Sequence, residues 1–226
     1  MDIGIILLAA IVHASLQLGL GSLILLYHES ANKYVTKKTK SLVSSFLSGS
    51  GAITFLALAA MTFVIVSFFG GSLEVEILAL VISLLVVLAI SVWFMYYRRG
   101  TSTELWLPKS VANYINTRAR ATSNNTEAFS LGMLTVFGEA PFVIVLLTVA
   151  GNSVADFDII WQPVVVAFYT LIAVLPLWVV RLSIRRGKTA HDLQRWRNAN
   201  KTFIMIASGL GFVILGAFLL CFRILR

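Results

Sequence analysis

The chain has 226 residues, 58% of them hydrophobic and only 12% charged, with a net charge of +8. A soluble domain carries about 25% charged residues, so a water-soluble enzyme or binding module is excluded and an integral membrane protein is expected. The positive charge does not point to nucleic acid, because the basic residues lie in short segments between apolar runs, where anionic lipid headgroups account for them.

Six apolar stretches are long enough to cross a bilayer: 3–26, 42–69, 74–97, 128–150, 160–181 and 202–222; each crossing needs about 20 apolar residues. The first begins MDIGIILLAA, which lacks the basic region of a signal peptide and carries Asp2, so a retained span is expected. Within it His13 and Gln17 are four residues apart and share one helix face. Two uses are open for them: passing protons or holding a cation together with a carboxylate from elsewhere, or hydrogen-bonding across helices as packing contacts.

The second stretch opens with small residues, Ser44, Ser48, Gly49, Ser50, Gly51 and Ala52. They permit close helix approach, and the carbonyls at Gly49 to Gly51 offer a second use in lining a path. After the third stretch, LWLPKSVANYINTRARA places Leu107, Val111, Tyr114, Ile115 and Arg118 at helical spacing, with Pro108 suited to a first turn. This predicts a short helix lying at the membrane surface. SNNT, residues 123–126, then breaks it.

The fourth stretch, AFSLGMLTVFGEAPFVIVLLTVA, carries Glu139 at its middle. A carboxylate at that depth costs at least ~2.5 kcal/mol, so it is expected to face protein or water, on a solute or proton pathway or as a neutral packing group. Gly138 and Pro141 weaken the helix beside it, and irregular backbone at that depth is tolerated only where it is buried or lines a cavity. The fifth stretch has Pro163 and Pro176, which predict kinks at its ends. Beyond it Thr189 and Asp192 form a candidate capping box, TAHD, opening a helix expected to run unbroken through Trp196 into the sixth stretch. There Gly209, Gly211 and Gly216 offer a close-packing surface.

The segments after stretches 1, 3 and 5 hold 16 of the 18 Lys and Arg residues, whereas those after stretches 2 and 4 hold Glu74, Glu76, Asp156 and Asp158. The positive-inside rule places the basic segments in the cytoplasm and both termini outside the plasma (inner) membrane. The expected fold is an all-α polytopic membrane protein. Residues 1–226 make a single transmembrane domain of six helices, arranged as two inverted three-helix repeats (1–99 and 127–226) joined by a central cytoplasmic loop, 100–126, that carries the short surface helix. Aligning Ser15–Ser30 with Gly138–Ser153 pairs Gln17 with Ala140, one residue beyond Glu139 in depth.

Known membrane chemistries are missing. SGSG at 48–51 has Ser48 where an intramembrane serine protease carries glycine, and no late span supplies the partner histidine. No HExxH helix, paired intramembrane acids, phosphate loop or dithiol is present, Cys221 being the single cysteine. No enzyme and no cofactor are expected, and no metal ligand set can be assigned.

The layout resembles the lysine-exporter superfamily and its relatives, which include cation exporters and thiol-electron carriers. The shared features are six spans, both termini outside, a long central cytoplasmic loop and two inverted halves. AFSLGMLTVFGEAPFVIVLL, Ala128 to Leu147, is similar to the broken fourth span of such proteins, with Gly138-Glu139-Ala140-Pro141 in place of their Asn-Pro or Pro-Gly-Pro break. The resemblance implies export or exchange of a small solute or cation, with the bilayer and its anionic headgroups as partners and with homo-oligomers compatible. Two other classes stay open: a substrate-binding membrane subunit of a larger importer, and a non-transporting membrane scaffold.

Overall fold

The computed structural model describes residues 2–16, 19–30, 37–98, 109–186 and 188–224. Every regular element among them is helical: α1 (Asp2–Leu16), α2 (Gly19–Ser30), α3 (Lys37–Phe69), α4 (Val75–Arg98), α5 (Lys109–Ala121), α6 (Asn125–Gly138), α7 (Ala140–Ala155), α8 (Gln162–Ala173), α9 (Leu175–Arg185), α10 (Ala190–Ala199) and α11 (Lys201–Leu219), which ends in a π turn (Leu220–Ile224). Three helices are long and apolar enough to cross a membrane alone, at Lys37–Phe69, Val75–Phe94 and Thr202–Ile224. Three bent pairs raise the number to six if each is one span: α1 with α2 at 47°, α6 with α7 at 81° and α8 with α9 at 51°. The chain is therefore a helical membrane protein by length and composition.

Two of the bends share one recipe. Glu139 has φ −85° and ψ −6°, and Val174 has φ −89° and ψ 3°, values in the sparsely populated bridge region. Each is followed two residues later by proline, Pro141 and Pro176. A proline there has no N–H to give to the preceding turn, and its ring crowds the carbonyl four residues back, so the ladder stops and restarts. The restart is visible in the hydrogen bonds: Phe142 and Val143 N–H donate to the Glu139 carbonyl at 2.9 and 3.0 Å, and Leu177 N–H donates to the Val174 carbonyl at 3.0 Å. Sequence places the effect of Pro176 at the end of the fifth stretch; the structure places the bend inside it. Pro163, in the first turn of α8, does mark an end.

Elsewhere the ends follow ordinary capping. Asn124 Oδ1 accepts from Glu127 N–H at 2.9 Å and starts α6. Thr189 and Asp192 form the expected capping box, and the Thr189 hydroxyl, followed by its backbone N–H, holds the Asp192 carboxyl below its ordinary range. The helix they open does not continue into the last span. Asn200 gives both its backbone N–H and its Nδ2 to the Trp196 carbonyl, at 3.1 and 2.8 Å, and this local competition for acceptors closes α10 before α11 begins. The expected short helix forms from Lys109 onward, while Leu107 and Pro108 lie outside the described residues. α5 buries Ile115 and Ala119 against α2 and α6, while Arg118 donates to Tyr114 Oη at 3.3 Å on its exposed side, which raises the Arg118 pKa.

The apolar interior among the described residues has two large cores and a small third cluster of Ile65, Leu73 and Leu78. One core is built from α2 (Leu23, Leu26), the first half of α3 (Leu42, Phe46), α5, α6 (Ala128, Leu131) and α9 (Leu177, Val180, Ile184). The other is built from α1 (Ile5, Ile6, Ala9), α4 (Leu85), α7 (Leu146, Ala150), α8 (Tyr169, Ala173) and α11 (Phe212, Leu215), with Leu58 from the second half of α3. Among the described helices only α3, 33 residues long and so about 50 Å, contributes buried residues to both. The bends fall at the level where the cores part.

The far ends of the two cores differ in charge. Beyond the second core Arg223 pairs with Asp2 at 2.7 Å and also with Asp156, and Asn152 Oδ1 accepts from Leu73 N–H at 2.8 Å. Beyond the first core Tyr27 Oη donates to the Lys188 carbonyl at 3.2 Å, and α10 and α5 lie against α2. Among the described residues, the basic segments thus gather at one end, and Asp2 and Asp156, with Arg223, lie at the other.

Candidate functional site

Between the two cores lies a thin polar layer, and Glu139 is its centre. The backbone break places this residue at the corner of an 81° bend, with 2% of its surface exposed. Its Oε1 accepts the N–H of Gly19, the first residue of α2, at 3.2 Å. A helix N-terminus presents unsatisfied N–H groups and the positive end of the helix dipole, so it holds a carboxylate well. Gly19 sits close to its neighbours: a methyl there would stand 3.4 Å from Thr135 Oγ1 and 3.6 Å from Leu177 Cδ2. The start of α2, the end of α6 and the first turn of α9 therefore meet beside one carboxylate.

α1 brings His13 to the opposite side. The ring is fully buried, its Nε2 is 3.9 Å from Glu139 Oε2, and its Nδ1 is 3.0 Å from Tyr169 Oη on α8. Tyr169 is also fully buried. If Nδ1 accepts the phenol proton, the imidazole proton is on Nε2 and faces Glu139; the other tautomer reverses both roles. Shortening the His13–Glu139 gap by about 1 Å would bring the pair to hydrogen-bond distance. Glu139, His13 and Tyr169 thus form a line of three polar groups between α1, α8 and the break that joins α6 to α7.

The layer continues onto α3. Ser50 Oγ donates to the Gly132 carbonyl at 3.0 Å, Thr135 Oγ1 donates to the same carbonyl at 2.8 Å, and Thr54 Oγ1 donates to the Ser50 carbonyl at 2.8 Å. Here α3 and α6 make their tightest approach. A Cβ on Gly49 would overlap the Phe129 carbonyl oxygen, and one on Gly132 would overlap the Phe46 carbonyl oxygen. Gly49 is thus a packing residue, whereas Gly51 has nothing within 4 Å of a Cβ and Ser48 is exposed.

Of the residues expected from sequence, the structure joins His13 to Glu139, places Gly138 as the last residue of α6 and puts Pro141 in the first turn of α7. Gln17 lies outside the described residues. Tyr169 and Gly19 were not signalled. A tyrosine in QPVVVAFYTLIA reads as core, and a glycine in an apolar run reads as packing. No group of three or more metal-binding side chains occurs among the described residues.

Comparison with protein-family models, curated proteins and solved structures gave no significant match. The fold and site define a class, a helical membrane protein with a buried carboxylate at a broken helix.

Proposed function

We propose that the chain is a membrane transporter-like protein that moves or exchanges a small solute or cation, coupled to protons, through the site around Glu139. The observation that carries this reading is the buried carboxylate at the helix break, held by the Gly19 N–H on one side and facing His13 on the other. Intramembrane acids are costly and gather on ion and proton pathways. Binding sites at discontinuous helices near the midplane are the common plan of secondary transporters. A carboxylate can bind either a proton or a cation, so the two compete for one group at Glu139.

The lysine-exporter-like architecture is part of the same proposal. Two inverted halves would map the first, second and third spans onto the fourth, fifth and sixth. The packing supports this: α3 lies against α6 as α8 lies against α1, and α1 lies against α11 as α7 lies against α4. Taken as whole spans, the first with the fourth (α1 with α7), the second with the fifth (α3 with α8) and the third with the sixth (α4 with α11) map onto themselves. The mapped first and fourth spans are both bent and meet at Glu139, whereas the fifth is bent and its mapped second, α3, is not. The basic end then faces the cytoplasm of the plasma (inner) membrane and both termini face outward.

Uptake into proteoliposomes across a panel of amino acids and inorganic cations, with and without an imposed proton gradient, tests the function. We expect gradient-dependent movement of at least one solute. A panel with no uptake in either condition, from protein shown to be folded, overturns the reading. Orientation has its own test in a Cys221→Ala background. Single cysteines at the exposed positions Ser72 and Asp158 should react with an impermeant thiol reagent in intact cells, and Lys38→Cys, Ser123→Cys and Thr189→Cys should not. The reverse pattern would invert the proposed sidedness.

A further inference from the structure

At the basic end α3 and α9 leave a groove of about 190 Å³, lined by Lys40, Val43, Arg181, Ile184 and Arg185. Three cations line it and no acid does. Val43 and Ile184 are buried and form its apolar floor. Like charges gathered on one concave, low-dielectric surface repel one another and concentrate an attractive field for anions. Two acids of this end are engaged elsewhere: Glu127 accepts from Ser123 N–H at 2.8 Å, and Asp192 accepts from Thr189 N–H at 3.0 Å.

Arg181 is also held in place. Its guanidinium lies 4.8 Å from the Trp178 ring centroid, a cation–π contact that fixes its direction without neutralising its charge. Trp178 belongs to an outward strip on α9 with Leu175, Val179 and Leu182, all at least 39% exposed. These positions are three, four and seven residues apart and so share one helix face. The strip starts at the Val174 bend, near the middle of the bundle, and ends beside the groove.

We propose that the groove binds the phosphate of an anionic phospholipid, whose acyl chain lies along Leu175, Trp178, Val179 and Leu182. The sequence alone spreads the expected headgroup attraction over all the basic segments; the structure concentrates it at Lys40, Arg181 and Arg185. The adjoining apolar strip selects a lipid over free phosphate, because a free phosphate gains nothing from it. Arginine suits the task, since its planar fork matches phosphate oxygens in pairs.

Native mass spectrometry of the full-length protein, released from micelles doped with phosphatidylglycerol or phosphatidylcholine, reads the site directly. The parent protein should retain one phosphatidylglycerol with about a tenfold preference over phosphatidylcholine, or ~1.4 kcal/mol. Lys40→Gln, Arg181→Gln and Arg185→Gln combined should abolish that preference. The control Arg186→Gln, Lys188→Gln and Arg195→Gln, at the same end and of equal charge change, should keep it. Equal losses in both variants would mean diffuse attraction and overturn the site. Displacement of the lipid by excess inorganic phosphate would assign the groove to free phosphate and overturn the lipid. If the triple variant does not fold, Arg181→Gln alone decides: a several-fold loss of preference supports the site, and parent-like retention overturns it.

Discussion

Glu139→Gln should fold like the parent protein and lose proton-driven uptake by at least about a hundredfold, the lower end of what removing a proton-transfer group costs. The amide keeps the shape of the carboxyl group and can still accept the Gly19 N–H, which the carboxylate accepts at 3.2 Å. It cannot take a proton from His13 or exchange one for a cation. Glu139→Ala should lose the same activity and also lower stability by about 1–3 kcal/mol, because the Gly19 N–H loses its acceptor in a buried place. Tyr169→Phe should be milder, since it removes only the outer group of the line, at 3.0 Å from His13. Uptake measured over a range of pH, beside thermal unfolding of the same preparations, separates these outcomes. A Gln variant with parent-like, fully pH-dependent uptake would reduce Glu139 to a packing group.

The second large effect should come from a single methyl. Gly132→Ala and Gly49→Ala each place a Cβ against a backbone carbonyl oxygen, of Phe46 and of Phe129 respectively. A side chain in that position could swing aside, but a helix backbone can yield only by moving the whole element. We expect each substitution to destabilise the protein by about 2–3 kcal/mol, the upper part of the usual overpacking range. Gly51→Ala is the control, since nothing lies within 4 Å of its Cβ, and it should change stability by less than about 0.5 kcal/mol. Thermal unfolding in one detergent ranks the three. Equal behaviour of Gly51→Ala and Gly132→Ala would mean that α3 and α6 are not in such close contact.

The sequence exposes those parts of the molecule that break a local rule. A carboxylate in an apolar run and a proline two residues later announce both the Glu139 site and its bend. The excess of Lys and Arg after alternate stretches separates the two ends before any coordinates. Thr189 and Asp192 mark a helix start because a capping box needs a polar side chain just outside the helix and a second one three residues on, in its first turn. The 81° size of the bend was not legible, since a proline states that the ladder is interrupted but not how far the two halves swing. Tyr169 was hidden because its partner is 156 residues away, and an aromatic ring on an apolar helix looks the same whether its hydroxyl meets histidine or nothing. Gly49 and Gly132 each read as a small residue; that they cross at one point is a property of the pair.

The division of the interior has a mechanical consequence. Bundles whose side chains interlock from one membrane face to the other can change shape only by opening that core, with a large loss of apolar contact. Here α1, α7 and α8 belong to one storey and α2, α6 and α9 to the other, while α3 passes through both like an axle. Tilting one storey about that axle leaves each core closed. It stretches the floor between them, where the Gly19–Glu139 hydrogen bond lies, and leaves the His13–Tyr169 bond within one storey. Glu139, proposed to exchange protons, is therefore also a latch between the storeys, and a change of charge on it would act on the posture of the whole bundle.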